Sequence, residues 1–328
     1  MSSVEGKSAL RPPAYPAARP FTRGSVAAAC VRYGGVPLMV TSAFVAYVTL
    51  STRQVPDVVT VLSALTGLAV VAVPLEVATG GFFRRSTARI VFDGVFTLLM
   101  IALEATVVTF APRLVAPIAA RTPFAAFWPK TLPFAAQLLL GLLLADFLAW
   151  VVHYLQHRRE DSSLWRMHAV HHSIDSLDLI GGTRNHPYDV LTAATTSMSV
   201  LFLGAGSDVF CVVVMLNLFA NTIHHVNVDL DVGPLGRVFV TPRAHAWHHG
   251  RGLPKGVNFG HVLSIWDTLF GTYYCPRPFE GAFGLDTTYE IPATVPAMLA
   301  AGASKNAYER HTRRPAAHEV PAVETFGT

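Results

Sequence analysis

Long apolar runs decide most of what this chain can become. They fall at roughly 34–52, 58–79, 90–111 and 134–157, each about the 20 residues that a helix needs to cross the hydrocarbon core of a bilayer. Hydrophobic residues make up 52% of the 328 and charged residues only 14%, against roughly 25% charge in a soluble domain. The expected fold is therefore all-α and integral to a membrane, with about four transmembrane helices. Two further apolar stretches, about 190–206 and 208–223, contain Asp208 and Asn217 and flank histidine-bearing segments. They read as a re-entrant hairpin or as buried helices, which makes the count four, or six with these included.

Residues 1–23 are rich in Pro, Ala and Arg and lack an early apolar core, so they read as a disordered N-terminal tail instead of a cleaved signal peptide. Residues 24–275 read as one membrane domain and 276–328, returning to Pro, Ala and charge, as a peripheral C-terminal tail. Arginines cluster before the first run, after the second and after the fourth (Arg158 and Arg159). By the bias of short cytoplasmic loops toward Lys and Arg, the N-terminus and the segment after the fourth run are expected on the cytoplasmic side. The formal charge of +4 is accounted for by juxtamembrane arginines beside anionic lipid, and no nucleic-acid partner is expected. Cys30, Cys211 and Cys275 show no paired spacing, which argues against disulfides and cysteine-based metal sites.

Histidine carries the chemistry. Two copies of H-x-x-H-H occur, His168/His171/His172 and His245/His248/His249, with an H-x-x-x-H, His153/His157, upstream of the first. Positions i, i+3 and i+4 of a helix share a face, so each triplet can offer three imidazoles to one volume, and neutral imidazole suits zinc, copper, iron or nickel. Asp161, Ser162 and Ser163 are plausible N-caps for a helix carrying the first triplet. Thr241 as N-cap, Pro242 at the first helical position and a stop at Gly250 delimit the second. Both triplets thus begin within the first turns of short helices.

Near the end of the fourth run, Asp146, Trp150, His153 and His157 fall on one helical stripe. An acid inside an apolar helix is costly and reads as functional by default. Asp146 is expected to hold the ring of His153 or His157 in one tautomer, the alternative being a pairing with an arginine of the cap, or a bracing role passing to Asn221 or Asp189. His186, in R-N-H-P-Y-D, sits in an extended segment before Pro187. His224 and His225 are adjacent and face different sides of a helix, so at most one can join the other histidines, and Asn221 shares the face of His225.

The ordered set H-x-x-x-H, H-x-x-H-H, N-H-P, H-x-N-V, T-P-R-x-H-x-x-H-H and N-F-G-H-V-L-S-I-W-D-T-L-F-G-T, over about residues 134–275, resembles the sterol desaturase/fatty acid hydroxylase superfamily of membrane non-haem di-iron enzymes. The resemblance implies four membrane helices beneath a cytosolic helical cap that holds two iron ions. It also implies chemistry in which O2 and two electrons hydroxylate or desaturate an unactivated C–H position of a lipid. Carried onto this sequence, it implies His153, His157, His168, His171, His172, His225, His245, His248 and His249 as iron ligands, with His186 as a tenth. It favours His225 over His224 through the H-x-N-V match. Some relatives carry a histidine where this chain has Asn221, so His186, Asn221 through a water, or an open position completes the set. Iron is implied over zinc because zinc supplies no redox change.

Two other readings compete with a di-iron oxygenase. A histidine-lined membrane metal transporter or metal-binding protein would place ligands within several spans near the midplane, whereas these cluster at a helix end and beyond it. A zinc hydrolase would show an H-E-x-x-H arrangement, which this sequence lacks. No iron–sulfur cysteine pattern or haem-type segment is visible, so electrons are expected from a separate reductase or carrier.

Overall fold

The computed structural model describes residues 57–78, 87–227, 232–251, 256–276, 278–279, 281–285 and 294–303. Residues 1–23 and the apolar run at 34–52 lie outside the described residues. Regular structure among the described residues is helical, apart from two isolated bridges, Phe239 with Leu263 and Gly250 with Phe283.

In chain order the helices are α1 (Asp57–Ala78), α2 (Thr87–Ala119), α3 (Phe134–Arg158), α4 (Ser163–His172), α5 (Pro187–Phe202), α6 (Ser207–His225), α7 (Pro242–His248), α8 (Ile265–Phe270) and α9 (Val295–Leu299). Among the described residues, three helices are long and apolar enough to cross a membrane: Arg89–Ala119 within α2, all of α3, and α6. The last is one of the two further apolar stretches that sequence alone left open between an added span, a re-entrant segment and a buried helix. Half of its most apolar window is buried in the protein, against 22% and 28% for the windows of α2 and α3. Its polar residues can therefore face protein, and a hydropathy reading that assumes lipid all round undervalues it. Outward on the other two spans, Val91, Leu98, Leu114 and Leu139 each expose more than half of their surface, the pattern of a lipid-facing surface and not of a water-facing one.

The bundle is sealed by Val108 and Ala111 of α2, Ala145 of α3, Val200 and Leu201 of α5, and Val209, Phe210, Cys211, Val213 and Val214 of α6, with Trp128 beside them. Close approach of α3 to α6 depends on Gly141, where a Cβ would stand 3.1 Å from Val209 and 3.3 Å from Val213. Two short helices close one end. Ser162 caps α4 by accepting from the Trp165 amide at 3.0 Å. Thr241 caps α7 by accepting from Ala244 at 3.1 Å, with Pro242 at the first position. These helices are so brief that their triplets run into their last turns. Residues beyond 276 do more than trail at the periphery: Leu285, Met298 and Ala301 are buried against Trp165, Ala169 and Val170 of α4.

Candidate metal centre

Nine histidines converge where α3 and α6 end against α4 and α7. They form two groups, within each of which the offered ring nitrogens lie no more than 4.8 Å apart: His153, His157, His168, His172 and His248 in the first, His171, His225, His245 and His249 in the second. The helical triplets are split reciprocally. His168 and His172 (i, i+4) serve the first group and His171 (i+3) the second, whereas His245 and His249 serve the second and His248 the first. Each short helix therefore bridges both pockets. Gly182 makes room for this packing, because a Cβ there would lie 2.3 Å from the ring of His225.

The hydrogen bonds decide which nitrogen is free. His153 Nδ1 donates to the Phe259 carbonyl at 2.8 Å, His225 Nδ1 to Asn221 O at 2.6 Å, His248 Nδ1 to Val257 O at 2.9 Å and His171 Nδ1 to Arg184 O at 3.3 Å. His168 Nδ1 donates to Asp189 Oδ1 at 3.0 Å. A carbonyl or carboxylate oxygen only accepts, so these Nδ1 atoms carry a proton, and a neutral ring held in this way turns a bare Nε2 lone pair inward. Yet His153 Nε2 lies 3.1 Å from His168 Nε2, and His171 Nε2 lies 3.2 Å from His225 Nε2. Facing lone pairs at that range repel unless a cation stands between them. Two nitrogens held about 2.0–2.1 Å from one ion, at octahedral to tetrahedral angles, are about 2.9–3.4 Å apart. The donor set fits two metal ions.

Burial keeps the rings in the coordinating form. It holds His171, His172, His245 and His249 well below the ordinary imidazole value, aided by repulsion among neighbouring rings, and pushes His248 down to about 3. Four helices also end here, with His172, His225 and His248 as the last residues of α4, α6 and α7 and His157 one from the end of α3. Their C-terminal partial negative charges favour cations.

Several expected residues stand elsewhere. Asp146 does not brace an imidazole: its carboxylate accepts from the amides of Val262 (2.8 Å) and Leu263 (3.1 Å) and from Trp266 Nε1 (3.0 Å), fastening the segment after Phe259 to α3. Nor does it meet an arginine of the cap, since those donors occupy it. His186 is not in either group. Its Nδ1 accepts from the Tyr188 amide and its Nε2 donates to Leu299 O, because a residue before an N1 proline is well placed to cap α5. Asn221 contributes its carbonyl to His225, and its side chain lies 3.4 Å from His224 Nε2. His224 stacks face to face on His245, centroids 4.2 Å apart, outside both groups.

Of the residues that support the site, Asp189 was an alternative in sequence, whereas Asp267 and His261 were assigned no role there. Asp189 is the carboxylate that braces a ring, and its Oδ1 also accepts from Gln156 Nε2 at 2.8 Å. Asp267 accepts from Phe259 N, Gly260 N, Thr272 Oγ1 and Trp150 Nε1, and so fixes the carbonyl on which His153 depends. Asp267 stands in the W-D-T-L-F-G-T stretch, the one signal in sequence that could have marked it. His261 is half-buried, with its ring 5.3 Å from that of His153 and desolvation pushing it to about 4.

A cavity with about 780 Å³ of free space, its open mouth included, reaches these rings. His153, His168, His171, His245 and His261 line one end, and Glu104, Thr196 and Asn217 line it elsewhere. A bundle of apolar helices ending in two polyhistidine pockets beside such a cavity defines a membrane protein equipped to hold a metal pair next to a guest.

Comparison with known proteins agrees. The sequence profile of the family described as "Fatty acid hydroxylase" matches residues 138–272. The ornithine lipid hydroxylase OlsE of Rhizobium tropici is 39% identical over 190 residues, 56% of this chain and 57% of the relative. The alkylglycerol monooxygenases of Danio rerio and Homo sapiens are 33% and 32% identical over 146 and 131 residues, covering 42% and 39% of this chain and 32% and 28% of theirs. The chain thus spans little more than half of the first relative and about a third or less of the others. No solved structure matches it. Residues 138–272 thus match the fatty acid hydroxylase family, and the chain is similar to a lipid hydroxylase and to alkylglycerol monooxygenases.

Proposed function

We propose that this protein is a membrane di-iron oxygenase that uses O2 to hydroxylate, or desaturate, an unactivated C–H position of a lipid. One observation carries the reading: two sets of neutral, inward-turned imidazoles hold facing Nε2 atoms 3.1 and 3.2 Å apart at one end of a cavity among apolar helices. His153, His157, His168, His172 and His248 would hold one iron and His171, His225, His245 and His249 the other. Bound there, the iron pair would supply the redox change needed to activate O2. The chain itself orients. Backbone carbonyls and Asp189 lock the rings, the helix C-termini favour the cations, and the cavity walls fix which carbon of a lipid approaches, since a strong oxidant attacks whatever C–H it meets.

The activities for which the relatives are named, one lipid hydroxylase and two monooxygenases, support hydroxylation. The arginine pattern supports a cytoplasmic position for the centre, with electrons delivered by a separate reductase or carrier. Clustering of the ligands at helix ends, away from the middle of the spans, speaks against a transport path for metal. The test is mass spectrometry of total lipids from cells with and without the protein, paired with iron content and O2 consumption of the purified protein. A lipid that gains one oxygen atom or loses two hydrogens is expected. An unchanged lipid profile from cells containing iron-loaded protein would refute the reading.

A further inference from the structure

Asp208 at the start of α6 is exposed; of the buried or half-buried carboxylates described in α1, α2 and α3, three are held by protein partners and one is not. Glu76 of α1 accepts from the amides of Leu179 and Asn227, Asp93 of α2 pairs with Arg184, and Asp146 holds three donors. Glu104 lies inside the candidate span Arg89–Ala119, is half-buried and lines the cavity that reaches the histidines, yet no described residue makes a hydrogen bond or ion pair with its carboxyl. A carboxyl in that setting is costly without a partner. No Lys or Arg occurs among the described residues lining the cavity, so the partner is not a cation of its wall.

Position suggests what the partner is. Asp93 is tied through Arg184 to His171, and Glu104 lies about 16 Å further along α2 at 1.5 Å per residue. Asn217, on the same cavity, lies about 12 Å along α6 from His225 by the same rise. The cavity therefore has a metal-facing end and, roughly a dozen ångströms away, a polar band that would be wasted on a plain hydrocarbon chain.

We infer that Glu104 determines substrate choice by accepting a hydrogen bond from an X–H group, hydroxyl or amine, that the lipid carries at a distance from the carbon presented to the histidines. This rests on the lipid-oxygenase reading and adds the class of lipid. A site built to bond an X–H group rejects an analogue lacking it, because its own polar group is then left unpaired. Glu104 touches substrate without taking part in the chemistry, so its loss should weaken binding and spare the turnover of bound lipid.

The experiment uses the purified, iron-loaded protein in non-ionic detergent and three probes of equal chain length: dodecylamine, 1-dodecanol and dodecyl methyl ether. Dissociation constants are measured by native mass spectrometry, with no turnover required. The amine and alcohol should bind about tenfold or more tightly than the ether, the equivalent of one hydrogen bond to a charged or polar acceptor. Glu104→Leu should erase that gap. Glu104→Gln, which keeps volume and an accepting oxygen, should keep the preference for the alcohol and lose tightness for the amine. The inference fails if the ether binds the wild type as well as the alcohol does, or if the ranking is the same in both variants. It also fails if, on an oxidised lipid bearing an X–H group, Glu104→Leu lowers kcat with KM unchanged, which is the mark of a proton carrier. Should the ranking hold while no cellular lipid gains oxygen or loses hydrogen, the oxygenase reading falls and the binding site stands.

Discussion

Replacing Asp189 with Asn isolates what one carboxylate contributes to the metal centre. Its Oδ1 accepts from His168 Nδ1 and Gln156 Nε2, and its Oδ2 accepts from the His186 amide at 3.2 Å, closing the capping box of α5. An Asn that keeps its oxygen toward His168 must turn its NH2 toward the His186 N–H, donor against donor. That removes a cap worth about 1 kcal/mol and a negative charge at a helix N-terminus worth about 0.3–1 kcal/mol, so the fold should lose about 1–2 kcal/mol. His168 meanwhile exchanges a bond to a charged acceptor, about 1.5–3 kcal/mol, for a neutral one of about 0.5–1.5 kcal/mol. The difference, about 1–1.5 kcal/mol, is near tenfold in an equilibrium constant, at the lower edge of the about 10–100-fold seen when partners of metal ligands are lost. The assay is the chelator concentration that removes half of the bound iron, expected to fall about tenfold in Asp189→Asn. Asp161→Asn, which alters a carboxylate exposed beside Arg159 and outside both histidine groups, is the control and should not shift it. Wild-type chelator resistance in Asp189→Asn would show that Asp189 does not support the metal through His168.

Three further outcomes are expected. His168→Ala and His248→Ala each take a ring from the first group and should lower bound iron and abolish turnover, whereas His224→Ala should keep most of both; full iron and activity in the two ligand variants would remove the two-metal reading. Asp146→Asn turns a donor toward the amides of Val262 or Leu263 and should lower stability by about 1–3 kcal/mol, with chelator resistance of the folded protein little changed; an unaltered thermal midpoint would contradict this. In metal-free protein, His171, His172, His245, His248 and His249 all have folded values below the unfolded one near 6.5. The unfolded chain then binds more protons in that window, so stability is fully present above about pH 6.5 and falls as pH drops toward the folded values, about 3 for His248, at about 1.4 kcal/mol per pH unit for each ring still unprotonated. A melting temperature constant from pH 7 to 5 would refute it.

Apolar length, helix punctuation and histidine spacing are local properties, and the chain declares them unaided. The runs at 58–79, 90–111 and 134–157 became α1, α2 and α3 to within a few residues for α1 and α3, and Ser162 and Thr241 cap the helices they were expected to cap. The stripe through Asp146, Trp150 and His153 was also legible as a face, since all three point toward the segment 259–267. Which partner each meets there was not. Asp146 and His153 share a stripe, yet one grips backbone amides and Trp266 while the other donates to Phe259 O, because partners more than a hundred residues away are brought in only by packing. The same holds for the division of each triplet between two pockets, for His186 serving as a cap instead of a ligand, and for the choice of Asp189, offered in sequence only as an alternative, over Asp146 as the carboxylate beside a ring. Helical periodicity orders side chains around one axis, but a metal pocket is defined by where four axes end, and that is decided by how α3, α4, α6 and α7 pack.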